Sequence, residues 1–496
     1  MFAKRTNWPL EPNRLARAME AQRRSGKPLL DLTASNPTTC GFAYPEREML
    51  DALRDPRALE YRPESKGLRV AREAVAEYYE GRASFADAAT RSEQVGRGGS
   101  ANRGGSNEAR GDKATRSGSG EPRGGANRIS GNRVDPERIV LTSGTSEAYS
   151  HVFRLLCEAG DEILVPAPSY PLLEFLADLA DVQLVLYPLL YDHGWQIDFA
   201  GLRAALTPRS RAVVVVHPNN PTGSFVKPRE AAELAEICAA REMAIVADEV
   251  FLDYPEPGGD KLRPYKKTPS AETFGRPDEK ARSQGSVGAT GEHGSFAFSD
   301  AALTFTLSGL SKISALPQMK LAWIVASGPD AAVRAAVERL DVIADTYLSP
   351  STPIQLAAPT FLALRSVMQA QLQERIARNL GTLDATLAGC DAVTRLEREG
   401  GWYAVLRVTQ SRRAAESARE TSLARATVPG HAADGAAETA TDEALAATLV
   451  ERCDVLVHPG SFFNFASDGF LVLSLITPAP EFQRGVQRLV EYLAGM

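Results

Sequence analysis

The chain has 496 residues, of which 44% are hydrophobic and 24% are charged, and its formal net charge is −6. These values exclude a small disulfide-stapled module, a coiled coil and a wholly disordered chain. The mild acidity argues against a protein held on nucleic acid by its overall field, so no nucleic-acid partner is expected.

Apolar periodicity predicts alternating helices and strands through the first two thirds of the chain. The helices are predicted at 68–80, from Ser146 onwards, at 171–179 and at 229–241. Seven strands are predicted at 139–142, 163–166, 182–188, 212–218, 244–249, 303–308 and 322–327. Several are continuous runs of Val, Ile and Leu, which are typical of strands buried on both faces. The pattern therefore predicts an α/β fold with a mainly parallel seven-stranded sheet between helices.

The last third of the chain has a different pattern. Helices are predicted at 330–345 and 354–389, and strands at 402–408, 455–458 and 470–476, which indicates a smaller α+β domain. We therefore predict a large domain at 46–329 and a small domain built from 1–45 and 330–496.

Three segments interrupt this pattern, at about 81–133, 255–300 and 410–441. The first holds 12 of the 39 glycines and nine arginines, and its only aromatic residue is Phe85. Such a composition buries too little apolar surface to offset the entropy of ordering. An arginine-rich arm for nucleic acid is the alternative, but the segment lacks the interleaved aromatics that stack on bases. We interpret all three segments as surface insertions.

The compartment is inferred from cysteines and apolar runs. The five cysteines have no spacing typical of a metal site. The first residues, MFAKRTNWPLEPNR, contain no apolar run of the kind found in signal peptides. The longest apolar runs have strand length, far short of a membrane helix. We expect a cytoplasmic protein with no metal and no membrane contact.

Polar side chains follow several of the predicted strands. Lys312, in LTFTLSGLSK, lies at the carboxyl end of a strand, where such sheets bind ligands. Asp248, in AIVADE, needs a partner such as a protonated ring nitrogen if it is ionised there. Asn220, in HPNNPTG, has an amide that can donate to a phenolate oxygen. Each has an ordinary alternative: a surface lysine, a helix N-cap and an Asx turn.

A fourth motif, LTSGTSEAY, places a predicted helix start directly after a strand. Backbone amides and the positive end of the helix dipole make an anion site there, and the hydroxyls of Thr145 and Ser146 add donors. Alone the motif is weak, because Ser and Thr are common at helix starts.

In this set and order, the four motifs resemble the pyridoxal-phosphate-dependent aminotransferases of fold type I, the class I/II aminotransferase family. The resemblance covers nearly the whole chain outside the insertions, and SGLSK with a basic residue eight positions later is its most specific part. It implies that Lys312 forms the Schiff base with pyridoxal 5′-phosphate and then moves a proton as general base and acid. It also implies that Asp248 keeps the pyridine nitrogen protonated, which makes the ring an electron sink.

The resemblance implies the other cofactor contacts as well. Asn220 would bind the ring's 3-oxygen, and Tyr170 in PAPSYPLLEF would stack on the ring. The phosphate contacts would come from Thr145, Ser146, Ser311 and Lys320. Tyr61, in YRPESKGLR, matches a tyrosine that reaches the phosphate of the neighbouring subunit, which implies a homodimer. The implied reaction transfers an amino group between an amino acid or amine and a 2-oxo acid.

Three positions depart from the family pattern. The phosphate arginine is Lys320 here, which keeps the charge but loses the planar fork. The tyrosine three residues after the aspartate is Phe251, so the 3-oxygen loses one donor. The arginine that grips the substrate α-carboxylate with two bonds is replaced by Val472, which removes one of the stronger polar contacts available.

The loss at Val472 leaves several interpretations open. Another cation could bind the carboxylate, and the sequence does not rank the candidates Arg47, Lys66, Arg69 and Arg407. Alternatively, the substrate is an amine, an amino alcohol or an ester, or the chain is a pyridoxal-phosphate-dependent lyase or decarboxylase. A non-catalytic regulator is a weaker alternative, because too few residues precede SNPT for a helix-turn-helix domain. His217 and His458 lie at strand ends beside the motifs, and a structural role is the simpler interpretation for both.

Overall fold

The computed structural model describes residues 1–8, 10–85, 87–88, 132–256, 293–409 and 441–495. In chain order, the strands are β1 (Leu30–Asp31), β2 (Ile139–Thr142), β3 (Glu162–Ala167), β4 (Gln183–Tyr191), β5 (Trp195–Ile197), β6 (Ser210–Val216), β7 (Ala244–Asp248), β8 (Thr304–Gly309), β9 (Ala322–Ser327), β10 (Val393–Arg395), β11 (Tyr403–Val408), β12 (Val455–Leu456), β13 (His458–Pro459) and β14 (Phe470–Ser474).

The helices follow the same order. They are α1 (Arg14–Ser25), α2 (Glu46–Ala52), α3 (Arg69–Tyr79), α4 (Thr145–Leu156), α5 (Leu172–Leu179), α6 (Phe199–Ala205), α7 (Pro228–Ala240), α8 (Leu310–Ile313), α9 (Asp330–Tyr347), α10 (Thr352–Ala363), α11 (Arg365–Leu387), α12 (Asp442–Cys453) and α13 (Ala479–Ala494). None of these helices is both long enough and apolar enough to cross a membrane.

The large sheet has the strand order β2-β9-β8-β7-β6-β3-β4-β5. Strands β8, β7, β6, β3 and β4 are mutually parallel. Strand β9 is antiparallel to both β8 and β2, so β2 runs in the same direction as the parallel set. The seven predicted strands and the mainly parallel sheet are confirmed. An eighth strand, β5, adds an antiparallel edge to β4, and its three residues are too few to produce a periodic signal.

Both faces of this sheet are buried, as the continuous apolar runs predicted. In β6, Ala212 and Val214 lie in the cluster that includes residues of α4, α5 and α9. Val213 and Val215 lie in the opposite cluster, which includes residues of α6 and α7. Because successive side chains of a strand point to opposite faces, a strand packed on both sides needs apolar residues at every position.

A second sheet has the antiparallel order β10-β11-β14-β13, and β1 pairs in parallel with β12. Its residues share a core with those of α10 to α13. The predicted domain boundaries, 46–329 against 1–45 with 330–496, stay a prediction.

Two predictions need correction. The helix expected at 354–389 is two helices, α10 and α11, and they meet at Leu364, whose N–H bonds to the Thr360 carbonyl. The insertion predicted at 81–133 begins later than expected, and the insertion predicted at 255–300 ends earlier, because residues at these two ends are buried. Arg82 pairs with Asp253 in the interior, and Phe296 is buried against Phe85. The rest of the three insertions lies outside the described residues.

Candidate active site

The sequence-predicted residues follow strands whose carboxyl ends lie at one edge of the large sheet. Parallel strands present their carboxyl ends at the same edge, which is where open α/β sheets bind ligands. From β2 outwards along this edge, the structure places Thr145 and Ser146 after β2, Lys312 after β8, Asp248 at the end of β7, Asn220 after β6 and Tyr170 after β3.

Lys312 lies in the short helix α8, directly after β8. Gly309, the last residue of β8, allows the close approach of β9, because a Cβ there would lie 2.7 Å from the Cβ of Ala322. The hydroxyl of Tyr254 donates to the Lys312 carbonyl at 2.7 Å and holds the backbone of α8. The Lys312 Nζ lies 4.9 Å from the ring centroid of Trp402 and 5.7 Å from that of Phe251. Desolvation by these surroundings lowers the pKa of Lys312 to about 8, although Asp248 opposes the shift.

Asp248 ends β7, the strand adjacent to β8. Its Oδ1 accepts the N–H of Val250 at 3.1 Å, and its Oδ2 accepts the Tyr149 hydroxyl at 3.1 Å. Burial nevertheless raises the pKa of Asp248 to about 6, because these donors only partly replace water. A cation on the ligand side would favour the ionised form.

The Asn219 side chain joins the loop that holds Asn220 to the loop that holds Tyr170. The Asn219 amide donates to the Pro168 carbonyl at 3.1 Å and to the Thr222 hydroxyl at 2.9 Å, which ties the loop after β6 to the loop after β3. Asn220 is 6% exposed, and its side-chain oxygen has no hydrogen-bond partner among the described residues. The Tyr170 ring is 46% exposed and available to cover a ligand.

The four residues proposed to contact the phosphate differ in their exposure. Thr145 and Ser146 open α4 and are half-buried, and Ser311 is half-buried in α8. Lys320 is exposed at a residue with φ of 52°, just before β9. The structure thus places the three hydroxyl residues at the sheet edge and leaves Lys320 exposed just before β9.

Val472 is fully buried in β14, between Val405 of β11 and His458 of β13. Directly opposed residues of antiparallel strands share a face, so His458 lies beside the position of the family arginine. Arg407 lies two residues beyond Val405 on that face and is half-buried. Burial lowers the pKa of His458 and favours its neutral form.

The other three candidate cations are engaged elsewhere. Arg47 lies 3.8 Å from Asp51, Lys66 lies 2.6 Å from Glu137, and Arg69 lies 2.8 Å from Glu73. The structure therefore ranks Arg407 above them as a replacement cation.

His217 has a structural role, as the simpler interpretation predicted. Its Nδ1 accepts the Val226 N–H at 3.0 Å, and its Nε2 lies 3.0 Å from the Gly294 carbonyl. Complete burial lowers its pKa to about 3, so the ring is neutral.

Sequence reasoning missed four residues that shape the site: Tyr149, Asn219, Tyr254 and Trp402. Tyr149 and Asn219 stand inside quoted motifs, so their position was a usable signal. Tyr254 and Trp402 act from segments far apart in the chain, and the sequence carries no signal that they meet at Lys312.

The residues present fit pyridoxal phosphate. The buried Asp248 carboxylate accepts hydrogen bonds only from the Val250 N–H and the Tyr149 hydroxyl and has a raised pKa, which suits pairing with a protonated ring nitrogen. Lys312 has an amine whose lowered pKa suits bond formation with an aldehyde. Among the described residues, no group of three or more His, Cys, Asp or Glu side chains could hold a metal ion.

Comparison with solved structures identifies the fold. An alanine aminotransferase from Pyrococcus furiosus superposes with a TM-score of 0.68 at 20% identity, covering 100% of both chains. An aminotransferase from Escherichia coli gives the same TM-score at 21% identity, covering 100% of this chain and 98% of its own. The fold is therefore that of the fold type I pyridoxal-phosphate proteins.

The sequence comparison then gives the family. The profile of the aminotransferase class I and II family matches residues 125–489, and the chain belongs to this family. Members of the family use pyridoxal phosphate.

Two relatives illustrate the range of similarity. The glutamate-pyruvate aminotransferase AlaA of Escherichia coli is 27% identical over 339 residues, which is 68% of this chain and 64% of the relative. The chain thus aligns with slightly less than two thirds of that relative. The arginine–pyruvate transaminase AruH of Pseudomonas aeruginosa is 25% identical over 73% of this chain and 76% of its own.

Proposed function

We propose that this chain is a pyridoxal-phosphate-dependent aminotransferase that moves an amino group between an amino acid or amine and a 2-oxo acid. The observation that carries the proposal is the arrangement of Lys312 and Asp248 at the ends of adjacent parallel strands. It brings a buried lysine with a lowered pKa near a buried carboxylate with a raised pKa, and each charge opposes the pKa shift of the other.

Each side chain has a role in this proposal. When bound, pyridoxal phosphate supplies an electron sink for negative charge at the substrate α-carbon. Lys312 would hold the cofactor covalently, and its amine, once released, would take the proton from the α-carbon and return it to the product. Asp248 stabilises positive charge on the ring nitrogen. Tyr149 fixes that carboxylate through its hydrogen bond.

The remaining contacts bind and orient the cofactor. Thr145, Ser146 and Ser311 would donate to the phosphate, with the charge of Lys320 added from the rim. Asn220 would bind the 3-oxygen, and Tyr170 would cover the ring face.

The names of the relatives guide the choice of substrates. Both relatives described above have pyruvate in their names, so pyruvate is the first 2-oxo acid to test as acceptor. Glutamate, alanine and arginine form the first panel of donors.

A cytoplasmic homodimer is part of the proposal. Tyr61 is 75% exposed and Leu59 is 93% exposed, which suits a segment that reaches a second copy of the chain. If Tyr61 completes the partner's phosphate site, mixing inactive Lys312→Ala and weakened Tyr61→Ala protomers restores activity in the hybrid. No restoration would count against shared sites.

Spectroscopy tests the function directly. The purified protein should bind pyridoxal phosphate with an absorbance band of the lysine-linked cofactor, and borohydride should fix the cofactor on the peptide that contains Lys312. A label on any other lysine would overturn the site. Single donors should then convert the bound cofactor to its amine form, which a 2-oxo acid reverses.

The substitution at Val472 favours a second candidate, a pyridoxal-phosphate-dependent lyase or decarboxylase. Which bond of the substrate breaks depends on how its carboxylate is held, and the expected arginine is absent from β14. Product release with an unchanged cofactor spectrum would identify this chemistry. An intact band with no response to any donor would instead indicate a binding role.

A further inference from the structure

A small cleft lies between helix α11 and the segment that follows the SNPT motif. It has a volume of about 130 Å³ and is lined by Gly41, Phe42, Gln371, Glu374, Arg375 and Arg378. Gln371 fixes one wall, because its side-chain amide accepts the Ala43 N–H and donates to the Ala43 carbonyl, both at 2.8 Å. None of the lining residues is among the proposed cofactor contacts.

Arg375 is a half-buried cation of this cleft, and its guanidinium is held in place. Its Nη1 donates to the backbone carbonyls of Cys40, Ile476 and Thr477 at 3.2, 3.3 and 3.3 Å. Its Cζ lies 4.9 Å from the ring centroid of Phe42. These contacts fix the plane of the guanidinium, so a ligand that binds to it loses less entropy in ordering it.

The other edge of the Arg375 guanidinium consists of Nε and Nη2. In a guanidinium, the Nε–H and one Nη2–H are parallel and form a fork that a carboxylate can occupy with two bonds. Among the described residues, neither nitrogen of Arg375 makes a hydrogen bond, and no carboxylate lies within ion-pair distance. The carbonyls at Nη1 are neutral and do not balance the charge. Desolvation by burial accordingly lowers the pKa of Arg375.

The same guanidinium edge binds carboxylates elsewhere in this chain. Arg211 binds Asp161 through Nε at 2.9 Å and through Nη2 at 3.2 Å. Arg395 binds Asp384 through Nε at 2.6 Å and through Nη2 at 3.2 Å. In both pairs the two nitrogens reach different oxygens of one carboxylate. The free edge of Arg375 therefore matches the chemistry of a carboxylate.

The charges at the cleft also favour an anion. Arg378 is a second cation, and Glu374 lies 3.9 Å from it. Two arginines and one glutamate among the lining residues leave the cleft with one net positive charge. The side chains of Arg378 and Glu374 are 65% and 77% exposed, so Arg375 is the fixed part of the cleft and the other two form its rim.

Cys40 connects the cleft to the surroundings of Lys312. Its carbonyl accepts the bond from Arg375, and its thiol donates to the Asn36 carbonyl of the SNPT motif at 3.1 Å. Burial raises the pKa of this thiol to about 11, and the charges of both Arg375 and Lys312 oppose the shift. Cys40 is therefore close to both the cleft and the lysine amine.

We propose that this cleft is a carboxylate-binding site, in which the Nε–H and Nη2–H of Arg375 hold the carboxylate and Arg378 adds charge. The site does not rest on the proposed function, since no contact in it involves the cofactor. Two sources of the carboxylate fit a cleft close to Cys40: the side chain of an amino donor bound near Lys312, or a separate carboxylic acid.

The test is a calorimetric titration of the cofactor-loaded protein with succinate, a dicarboxylate that has no amino or oxo group. Arg375→Gln removes the fork and its charge and should weaken succinate binding roughly ten- to a hundredfold. Arg375→Lys keeps the charge but loses the fork and should have a smaller effect. Arg23→Gln is the control, because Arg23 is an exposed arginine of α1 that pairs with Glu20, and it should bind succinate like the wild type.

A second pair of variants covers the case in which substitution of Arg375 disturbs the backbone that it holds. Glu374→Gln removes the negative charge at the rim and should tighten succinate binding about two- to threefold, whereas Arg378→Gln should weaken it by a similar factor. Both side chains are exposed, so neither variant should disturb folding. Affinities that shift in the same direction, or that do not shift, would contradict a carboxylate in this cleft.

Steady-state kinetics distinguish the two sources. If the side chain of the donor reaches the cleft, Arg375→Lys should raise KM for glutamate and leave KM for alanine unchanged. If a separate acid binds there, both KM values should stay at their wild-type level while succinate binding is weakened.

The outcomes also separate this inference from the proposed function. Succinate that does not bind the wild type, or that binds the wild type and both Arg375 variants equally, would overturn the carboxylate site. Wild-type protein that gives no borohydride label on Lys312 would instead overturn the proposed function, and the succinate titration would still report on the cleft.

Discussion

The carboxyl edge of the large sheet and the Val472 face of the small sheet contribute to the site in different ways. At the large-sheet edge, Lys312, Asp248 and Asn220 lie at or directly after the carboxyl ends of β8, β7 and β6. At the small-sheet face, the buried Val472 stands where the family has an arginine. His458 lies directly opposite it, and Arg407 lies two residues from the opposed Val405 on the same face.

The difference separates bond chemistry from substrate recognition. The charges that act on a cofactor are set by the ends of parallel strands, where neighbours are fixed by topology. In the proposed function, recognition of the substrate would depend on one face of an antiparallel sheet, where a single substitution changes the charge. The small-sheet face is joined to the N-terminal segment, because the Ser474 hydroxyl donates to the Ala34 carbonyl at 2.6 Å.

The large-sheet edge is tested most severely by Lys312→Ala. Loss of the only proposed covalent anchor and proton carrier should lower turnover at least about a thousandfold and abolish borohydride labelling. Lys66→Ala is the control, since Lys66 pairs with Glu137 and should be dispensable. Substantial activity in Lys312→Ala would mean that the large-sheet edge does not carry the chemistry.

Asp248→Asn should lower turnover roughly a hundredfold, because the ring nitrogen would lose its charged partner. In the cofactor-free protein, the same substitution should instead raise the free energy of unfolding. The pKa of Asp248 in the folded protein, about 6, lies above its ordinary value of 3.8. The free-energy cost of burying the charged carboxylate is therefore absent below about pH 4 and complete above about pH 6.

The asparagine variant should therefore gain roughly 1–3 kcal/mol of unfolding free energy at pH 8 and nothing at pH 4. Denaturant melts of the cofactor-free proteins measure this, with the exposed Asp192→Asn as control. Equal stability of variant and wild type at pH 8 would contradict the assigned burial cost.

Val472→Arg tests the small-sheet face by restoring the family residue. A two-bond grip on the α-carboxylate should raise kcat/KM for glutamate or alanine at least about tenfold. Val405→Arg places the same charge on the opposed buried residue and controls for disruption of the sheet. If Val472→Arg transaminates these donors no better than the wild type, the missing-clamp interpretation loses its support.

Arg407→Gln tests whether Arg407, on the small-sheet face, binds the substrate carboxylate. If Arg407 binds the carboxylate, KM should rise roughly three- to tenfold with kcat little changed. Arg47→Gln, on a side chain 91% exposed and paired with Asp51, is the matched control. Equal KM values in both variants would leave the small-sheet face without a replacement cation.

The smallest effect is a pH dependence of cofactor loading. The Lys312 pKa of about 8 lies below the ordinary 10.5, so the neutral, bond-forming amine becomes the major form above about pH 8. Stopped-flow mixing of cofactor-free protein with pyridoxal phosphate should show a loading rate that climbs up to about pH 8 and then levels. A rate still climbing near pH 10 would show an unperturbed lysine.

Much of the fold could be predicted because its signals are local. The Val and Ile runs of β6 and β7 require burial on both faces, which a single strand's sequence reveals. The three residues of β5 and the break at Leu364 have no such signal. The edges of the insertions were misplaced because Arg82 and Phe296 owe their burial to distant partners, Asp253 and Phe85.

The sequence by itself determined the strand-end residues of the large sheet, because a residue that directly follows a buried strand has its place set by that strand. It also determined that Val472 departs from the family arginine. Only the tertiary structure decided that Trp402 and Tyr254 meet Lys312, and that Arg407 lies beside Val472 while Arg47, Lys66 and Arg69 are paired elsewhere. These contacts join segments that are distant in the chain, and no local sequence pattern reveals which distant side chains will contact one another.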